Sequence, residues 1–353
     1  MRPLLPIEIE SHTIELPRRI TIGYDTLKEL GRFILELIDA RRVTIITGNN
    51  IIKRLGSKCE DALDSEDLVY KWLIASDTSN TTVQYLASRI DTTDLIIGFG
   101  GGKSVDVAKY IAYNLNKPFI SVPTSAAHDG IASPFASIRG SNRPYSITTR
   151  MPIGILADLK IIRSSPKRLL ASGCGDLLAK ITAVKDWELG RDEKNEYFGT
   201  YSASLAHLSA SIIMKEAKKF NDKEFIRTLV EALISSGVAA GIAGSSRPCS
   251  GSEHLFSHAL EFIAPNKGFH GERCGLGTIM MANLHGLDWE VIRDTLDSVG
   301  APTNAYQIGL SKDEIIKALI LARNIRPERY TILNKIKLNE EKALDLAKRC
   351  NII

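Results

Sequence analysis

Three of the chain's seven histidines lie close together in residues 250–272, which read SGSEHLFSHALEFIAPNKGFHGE. His254 and His258 are four residues apart where apolar residues recur at helical spacing, so the sequence predicts a helix with both imidazoles on one face and His270 on the following loop. Imidazole is the commonest protein metal ligand, and the three side chains could converge on one divalent ion with a further ligand from elsewhere. Equally, two could be packed or solvent-facing histidines and the third a turn residue. This stretch alone leaves both interpretations open.

A carboxylate that could complete such a site is Asp176, which ends the sequence Gly-Cys-Gly-Asp at the predicted start of a helix over residues 176–189. An acid at that place is often only a helix N-cap. It could equally supply an oxygen ligand, because two histidines and one carboxylate with an open position form a catalytic zinc site. The metallohydrolase motif HExxH does not apply, since Glu253 precedes His254, and no GxSxG nucleophile elbow is present. A hydrolase is therefore disfavoured.

A second candidate site is the glycine-rich segment Gly98–Ser104, which follows a predicted strand and opens a predicted helix. In that context backbone N–H groups and a helix N-terminus bind phosphate oxygens, and a pyrophosphate is the natural ligand. The segment matches neither the P-loop nor the GxGxxG fingerprint, and a tight turn is the alternative. The next predicted strand ends in Pro123–Pro134, PTSAAHDGIASP. We expect this loop to face the same crevice, because loops at the carboxyl ends of neighbouring parallel strands meet there.

The elements that must position these residues change character near residue 158. From residue 19 to about 157, short β-branched runs alternate with helical patterns, which predicts βαβ units and a parallel sheet, with a β-hairpin over Ala136–Thr149. Long helical patterns then run to the end of the chain. We therefore predict a Rossmann-like α/β domain over residues 1–158 and an all-helical domain over residues 159–353.

Composition narrows the class of protein. The 353 residues are 44% hydrophobic and 24% charged with a net charge of +4, which is typical of a soluble globular protein and does not favour nucleic acid or a membrane surface as partner. The N-terminal apolar run, broken by proline and acid, is not a secretory signal, and no uninterrupted apolar run approaches the ~18 residues of a membrane span. The five cysteines include no CxxC pair, so neither a disulfide framework nor a thiolate zinc site is indicated, and a reducing cytoplasm is expected.

Five motifs stand in chain order: GGGKSVDVAKYIA, PTSAAHDGIASPFASI, GCGDLLAKITAVKDW, SGSEHLFSHALE and HGERCGLGTIMM. Together they resemble the superfamily of iron-containing alcohol dehydrogenases, glycerol dehydrogenases and dehydroquinate synthases, over nearly the whole chain. Their detailed wording is similar to the branch that reduces dihydroxyacetone phosphate to sn-glycerol 1-phosphate for archaeal membrane lipids. The resemblance implies a dehydroquinate synthase-like fold, NAD(P)H as cofactor, one divalent metal per subunit and a cytoplasmic homo-oligomer.

Carried over residue by residue, the resemblance implies three sets of site residues. The metal ligands are Asp176, His254 and His270. The catalytic and substrate-contacting residues are Asp129 and His258, and Asp176 is expected to reach substrate too. The cofactor-binding residues are Gly100, Gly101, Gly102, Lys103, Ser104, Thr124, Ser125, Ala126, Ala127 and Ser133. The histidine pair is thereby divided, because His254 is a ligand and His258 is not.

The sequence also bears on which metal, which nicotinamide cofactor and which phosphate-binding residue the site uses. Zinc is expected from two histidines and one carboxylate, although iron binds the same set elsewhere in the superfamily. Gly48, Asn49 and Asn50 follow the predicted strand over residues 43–47, where an acid would select NADH, so both NADH and NADPH are expected to serve. The basic residues near enough in sequence to bind the substrate phosphate are Lys267, Arg273 and Arg247.

Other activities remain as alternatives. Within the superfamily these are a glycerol dehydrogenase without phosphate specificity and a dehydroquinate synthase-like lyase, which releases phosphate without net cofactor oxidation. A metal-dependent phosphohydrolase or a non-catalytic nucleotide-binding protein is a more distant alternative, because hydrolase motifs are absent.

Overall fold

The structure, a computed structural model, describes residues 13–140 and 144–353. A sheet of six parallel strands organises the first half of the chain, in the spatial order β1-β8-β5-β4-β2-β3. The six strands are β1 (Arg19–Gly23), β2 (Arg42–Thr47), β3 (Val69–Ile74), β4 (Leu95–Gly100), β5 (Phe119–Pro123) and β8 (Gly154–Asp158). The four inner strands are buried almost throughout, as expected for a parallel sheet covered on both faces. The predicted parallel α/β architecture is confirmed.

Two further strands form the predicted antiparallel hairpin, β6 (Phe135–Arg139) and β7 (Pro144–Thr148). Phe135 pairs with Thr148, and Arg139 pairs with Pro144. The turn predicted at Ser141 and Asn142 lies outside the described residues.

Four helices connect the strands of the sheet: α1 (Leu30–Leu35), α2 (Asn49–Asp64), α3 (Asn80–Ser88) and α4 (Gly102–Asn114). The apolar spacing of residues 25–37 predicts a single helix, but the structure has a 3₁₀ turn at Thr26–Glu29 followed by the short α1. The sequence also places Ser79 as the cap of α3, and its hydroxyl oxygen does accept a hydrogen bond from the backbone N–H of Thr82 at 3.1 Å.

The strand order reverses between β2 and β4, since β3 lies on one side of β2 while β4 and β5 continue on the other. Ligands of open parallel sheets bind outside the carboxyl ends of the strands at such a reversal. The loop after β2 begins with Gly48 and the loop after β4 contains Gly101, so the fold brings the predicted dinucleotide-binding segments to this point.

Every regular element described after Asp158 is helical. The main helices are α5 (Leu159–Arg163), α6 (Lys167–Lys194), α7 (Thr200–Glu216), α8 (Lys223–Ala243), α9 (Ser252–Ile263), α10 (His270–Leu284), α11 (Trp289–Ser298), α12 (Lys312–Ala322), α13 (Ile332–Lys335) and α14 (Glu340–Arg349). One large hydrophobic core spans them and continues beneath β8. The short α5 and α13 have no counterpart among the helices that the sequence predicts, and two further helix ends differ from expectation in ways that matter for the site.

Those two ends belong to α6 and α10. The helix predicted to begin at Asp176 begins at Lys167, so Asp176 lies well inside α6 and the N-cap interpretation is wrong. His270 is the first residue of α10 rather than a loop residue. Both side chains are therefore held by regular helices, which fix their direction more firmly than a loop would.

Glycines allow α6 and α10 to approach each other unusually closely. A Cβ atom at Gly271 would lie 1.8 Å from the carbonyl oxygen of Ser172, and one at Gly175 would lie 2.3 Å from the carbonyl oxygen of Gly271. Any larger residue at either position would push the helices apart. The contact places Asp176 beside His270.

One helix among the described residues, α8, is long and apolar enough to cross a membrane by length and composition. Most of its apolar window is buried inside the fold, where Phe225, Leu229 and Leu233 join the main core. That burial is typical of the core helix of a globular protein.

Candidate active site

Four side chains from three helices form a compact cluster. Asp176 on α6, His254 on α9, and His270 and Cys274 on α10 each offer one ligand atom, and these atoms all lie within 4.8 Å of one another. Asp176 Oδ1 is 3.4 Å from Nε2 of His254 and 3.7 Å from Nε2 of His270. The structure thus brings together the three predicted metal ligands and adds Cys274, which sequence reasoning did not include.

Two of these side chains, Asp176 and His254, are oriented by a hydrogen bond from outside the cluster. The backbone N–H of Asp129 donates to Asp176 Oδ2 at 2.9 Å, while Oδ1 is buried, forms no hydrogen bond among the described residues and lies 3.1 Å from the ammonium of Lys180. Glu253 Oε1 lies 2.7 Å from Nδ1 of His254, so Nδ1 donates its proton to this carboxylate and Nε2 is the ring nitrogen that faces the cluster. Glu253 itself accepts from the N–H of Gly251 and the hydroxyl of Thr182. A buried carboxylate oxygen that faces two imidazole nitrogens fits a bound cation.

The electrostatics of the cluster lead to the same conclusion. Burial alone would lower the pKa of His254, but Cys274, Asp176 and Glu253 hold it well above its ordinary value. Burial would raise the pKa of Cys274, yet the neighbouring charges of His254 and His270 lower it to about 6. In the absence of metal, protons on the two imidazoles balance the negative charges of the carboxylate and the thiolate. One divalent cation carries the same positive charge and could replace those two protons.

A fully buried lysine joins the metal cluster to the predicted substrate-contacting acid. Nζ of Lys180 lies 2.9 Å from Asp129 Oδ2 and 3.1 Å from Asp176 Oδ1. Burial would lower the pKa of Lys180, but these two carboxylates raise it, so the amine stays charged. Ser236 also donates its hydroxyl proton to Asp129 Oδ2, at 3.0 Å. Lys180 was missed at the sequence level, although its place one helical turn after Asp176 is a readable signal.

The second helix histidine lies outside the four-residue cluster. His258 lines a cavity of about 240 Å³ together with Asp129, His254 and His270, and its ring centre is 6.2 Å from that of His270. Burial, followed by the charges of His270 and His254, holds the pKa of His258 well below its ordinary value. His258 is therefore a neutral imidazole facing the cavity.

A larger cavity, of about 890 Å³, lies at the carboxyl ends of β2 and β4. Six of the predicted cofactor residues line it: Gly101, Gly102, Lys103, Ser104, Ser125 and Ala127. The amino end of α4 opens into it, and Gly48, Asn49 and Asn50 line the far side. A helix N-terminus and a glycine backbone at this place are suited to a pyrophosphate.

The other four predicted cofactor residues lie around this cavity rather than on its wall. Gly100 accepts a hydrogen bond from the N–H of Thr124 at 2.9 Å, which ties the two loops together. Ala126 is fully buried with its carbonyl against Gly173 on α6, and Ser133 lines the smaller cavity.

The two cavities share Gly102, Lys103, His128 and His270. His128 was not assigned a role from the sequence. Its Nδ1 accepts from the N–H of Gly130 at 3.0 Å, and its Nε2 lies where a Cβ atom on Gly102 would be. A ligand in the larger cavity can therefore reach the metal cluster at His270.

Of the three basic residues proposed to bind the substrate phosphate, Arg273 lines one of the two cavities and the other two line neither. Lys267 pairs with Glu314 at 2.8 Å, and Arg247 pairs with Glu196 at 2.6 Å; neither lines the two cavities described. Arg273 lines the smaller cavity, where it pairs with Glu261 and keeps its Nε without a partner among the described residues.

The fold and site together define the class of protein. The structure is similar to that of glycerol dehydrogenase from Schizosaccharomyces pombe, with a TM-score of 0.82 over 97% of this chain and 91% of the other at 20% identity. It is also similar to a probable glycerol dehydrogenase from Sinorhizobium meliloti, with a TM-score of 0.79 over 97% and 98% of the two chains at 17% identity. The family model for iron-containing alcohol dehydrogenase matches residues 21–166. The superfamily fold that the motifs imply is confirmed.

Sequence similarity is more specific than the fold. The chain is 50% identical to the glycerol-1-phosphate dehydrogenase [NAD(P)+] of Nitrosopumilus maritimus, over 98% of each chain. It is 51% identical to the protein of the same name from Cenarchaeum symbiosum, over 96% of each. The chain belongs to the glycerol-1-phosphate dehydrogenase family.

Proposed function

We propose that this protein catalyses the NAD(P)H-dependent reduction of dihydroxyacetone phosphate to sn-glycerol 1-phosphate, the glycerol backbone of archaeal membrane phospholipids. The observation that carries the proposal is the meeting of a metal-ligand cluster and a dinucleotide-sized cavity at His270, in a chain 50% identical over almost its full length to a glycerol-1-phosphate dehydrogenase. A dehydrogenase needs those two sites in contact, because hydride passes directly between cofactor and substrate.

The larger cavity is the proposed cofactor site. Its phosphate-binding part is the glycine segment Gly100–Gly102 at the amino end of α4, together with Lys103 and Ser104. Lys103 Nζ donates to the carbonyl oxygen of Ser76 at 2.7 Å, so its charge is fixed at the mouth of the crevice. The loop Thr124–Ala127 forms the second wall, and Ser133 lies towards the substrate.

Asp176, His254 and His270 are the proposed ligands of one divalent metal, with zinc the best match to a set containing imidazoles. When both groups are bound, the nicotinamide supplies the hydride and the metal supplies positive charge that stabilises the developing alkoxide, which is worth several kcal/mol. The residues around them must orient the ketone between the two groups.

Asp129 and His258 are the proposed substrate contacts, and they differ in what they can do. Asp129 is held by Lys180 and Ser236, so it is a fixed, charged acceptor for a substrate hydroxyl. His258 is neutral and can donate one ring proton while accepting another. It can pass a proton to the alkoxide only while it takes one from solvent, because loss of its single ring proton would leave an imidazolate.

Arg273 is the proposed contact for the substrate phosphate. It lies on the wall of the smaller cavity with His258, and its guanidinium has one N–H without a partner among the described residues. Arginine binds phosphate in a planar, two-point geometry. A substrate phosphate would therefore share Arg273 with Glu261.

The decisive test follows the oxidation of NADH and NADPH with dihydroxyacetone phosphate, with and without a chelator, and determines the chirality of the product. We expect both cofactors to be consumed, activity to require metal, and the product to be sn-glycerol 1-phosphate. Phosphate release without net cofactor oxidation would instead identify a lyase. A KM for glycerol comparable with that for its phosphate would identify a glycerol dehydrogenase.

We further propose two organisational features. The chain acts as a dinucleotide-binding domain over residues 1–158 and a metal- and substrate-binding domain over residues 159–353. It also forms a homo-oligomer, which an apolar face of α7 supports, since Tyr201 and Leu208 lie two turns apart and are 70% and 53% exposed. Sedimentation of the protein against Tyr201→Ser tests this, and a monomer at micromolar concentration would contradict it.

A further inference from the structure

Cys274 is the fourth member of the cluster and has no role in the function proposed above. Its side chain is fully buried, and its sulfur lies 3.6 Å from Nε2 of His270. We propose that Cys274 is a fourth ligand of the metal in the substrate-free enzyme. The proposal rests on the metal site of the proposed function and adds one donor to it.

The position of Cys274 follows from the geometry of α10. His270 and Cys274 are four residues apart on this helix, so both side chains lie on the same face. Beside this face, Gly271 of α10 meets Gly175 of α6 so closely that neither position has space for a Cβ atom. The close approach of the two helices brings the fully buried sulfur into one cluster with Asp176 and the imidazoles.

The distances within the cluster match the edges of a coordination tetrahedron. Metal bonds of about 2.0–2.2 Å to nitrogen and oxygen and about 2.3 Å to sulfur give edges of about 3.4 Å between nitrogen and oxygen and about 3.6 Å between sulfur and nitrogen. The two edges from Asp176 Oδ1 to the imidazoles measure 3.4 and 3.7 Å. The edge from the sulfur of Cys274 to His270 measures 3.6 Å. Three of the six edges of such a tetrahedron are thus present at zinc distances, and all four donor atoms lie within 4.8 Å of one another.

The other cysteines do not share this arrangement. Cys249 lines the smaller cavity but is held by Ser236, whose hydroxyl lies 3.3 Å from its sulfur. Cys59, Cys174 and Cys350 lie in the hydrophobic cores. Among the described residues the metal-ligating cluster contains Cys274 and no other cysteine.

A fourth protein donor changes which metal ion the site prefers and whether a coordination position stays open. Thiolate is a soft ligand that favours zinc over magnesium, calcium and manganese, whereas two imidazoles and a carboxylate discriminate less. Four protein donors also make a closed site, while three leave an open position. Cys274 therefore sets both the metal preference and whether the site is closed before substrate arrives.

Cobalt substitution gives a direct readout of a metal–sulfur bond. Metal-free enzyme is loaded with Co²⁺ and its absorption spectrum is compared with those of Cys274→Ser and Cys59→Ala. Cys59 is an equally buried cysteine, far from the site on α2. We expect an intense near-ultraviolet thiolate-to-cobalt band in the native and Cys59→Ala enzymes and its loss in Cys274→Ser. Zinc affinity of Cys274→Ser should fall on the order of 100-fold, since loss of an outer partner alone costs roughly 10–100-fold.

A measurement on the native zinc enzyme keeps the proposal testable if Cys274→Ser fails to fold. X-ray absorption should detect one sulfur at about 2.3 Å from zinc. A zinc shell of nitrogen and oxygen only, or a charge-transfer band that survives in Cys274→Ser, would overturn the proposal. Either result leaves the proposed function intact if a chelator still abolishes the reduction of dihydroxyacetone phosphate, so the two failures are distinguishable.

Discussion

Lys180 offers the sharpest test of how the site is held together, because its charge is buried between two carboxylates. At 2.9 Å from Asp129 and 3.1 Å from Asp176, the two attractions amount to about 6 and about 5 kcal/mol at an effective dielectric constant of about 20, before desolvation is counted. Removing one partner of a buried pair typically costs about 3–5 kcal/mol, since the remaining charge is left uncompensated. Lys180→Met, which keeps the length of the side chain, should lower the free energy of unfolding of the metal-free enzyme by that amount.

The assay is chemical denaturation in the presence of chelator, followed by far-UV circular dichroism. Lys185→Met is the matched control on the same helix, because Lys185 forms a partly exposed pair with Glu188 that should be worth about 0–1 kcal/mol. Adding Asp129→Asn to Lys180→Met should recover about 1–3 kcal/mol, since asparagine removes the orphaned charge and still accepts from Ser236. If Lys180→Met unfolds within about 1 kcal/mol of the control, the charge pairing described here is incorrect.

Three further predictions concern metal, pH and cofactor. His254→Ala should lose bound metal and activity together, whereas His258→Ala should keep stoichiometric metal by elemental analysis and lose kcat/KM; a metal-free His258→Ala would contradict the separation of the two histidines. The pKa of His258 is lowered in the folded protein, so below about pH 6.5 its imidazole is protonated in the unfolded chain but stays neutral in the folded one. Acid therefore lowers the free energy of unfolding. His258→Gln should therefore reduce the loss of unfolding free energy between pH 8 and pH 5 in chelated enzyme, and an unchanged loss, equal to that of the exposed control His207→Gln, would refute this. Asn49→Asp, at the start of α2 in the larger cavity, should shift kcat/KM towards NADH on the order of tenfold by repelling a 2′-phosphate, and an unchanged ratio would show that the adenosine ribose lies elsewhere.

The parallel sheet and the helical second half were predictable because their signals are local. Buried strands such as β4 read as short apolar runs that end in glycines, and long helices such as α8 carry a regular apolar spacing. The start of α6 was not predictable in the same way. Its early turns contain Gly173 and Gly175, which are weak helix formers; Gly173 lies against the carbonyl of Ala126, and Gly175 lies against Gly271 of α10. Tertiary packing overrides local preference at that point.

The same contact explains what was missed in the site. The ligand role of Asp176 could be proposed from its residue type and from family resemblance, but its direction depends on a hydrogen bond from the backbone of Asp129, far away in sequence. The sequence did not predict Cys274 as a ligand, because thiolate sites are recognised by pairs of cysteines and because His270 was expected on a loop. Once α10 begins at His270, the spacing of four residues puts imidazole and sulfur on one face. A single helix boundary therefore decided whether a fourth donor was visible in the sequence.

The arrangement of the ligands also explains why the two cavities must meet where they do. The side chains of Asp176 and His254 are 1% and 8% exposed, whereas His270 is 33% exposed and lines both cavities. The cluster is thus closed on the side of α6 and α9 and open towards the cofactor crevice. A dinucleotide in the larger cavity would cover that open side, which would exclude water from the place where charge develops on the substrate oxygen. A drier site strengthens every charge interaction within it. In the proposed function, cofactor binding and polarisation of the ketone would therefore both depend on the exposed edge of His270.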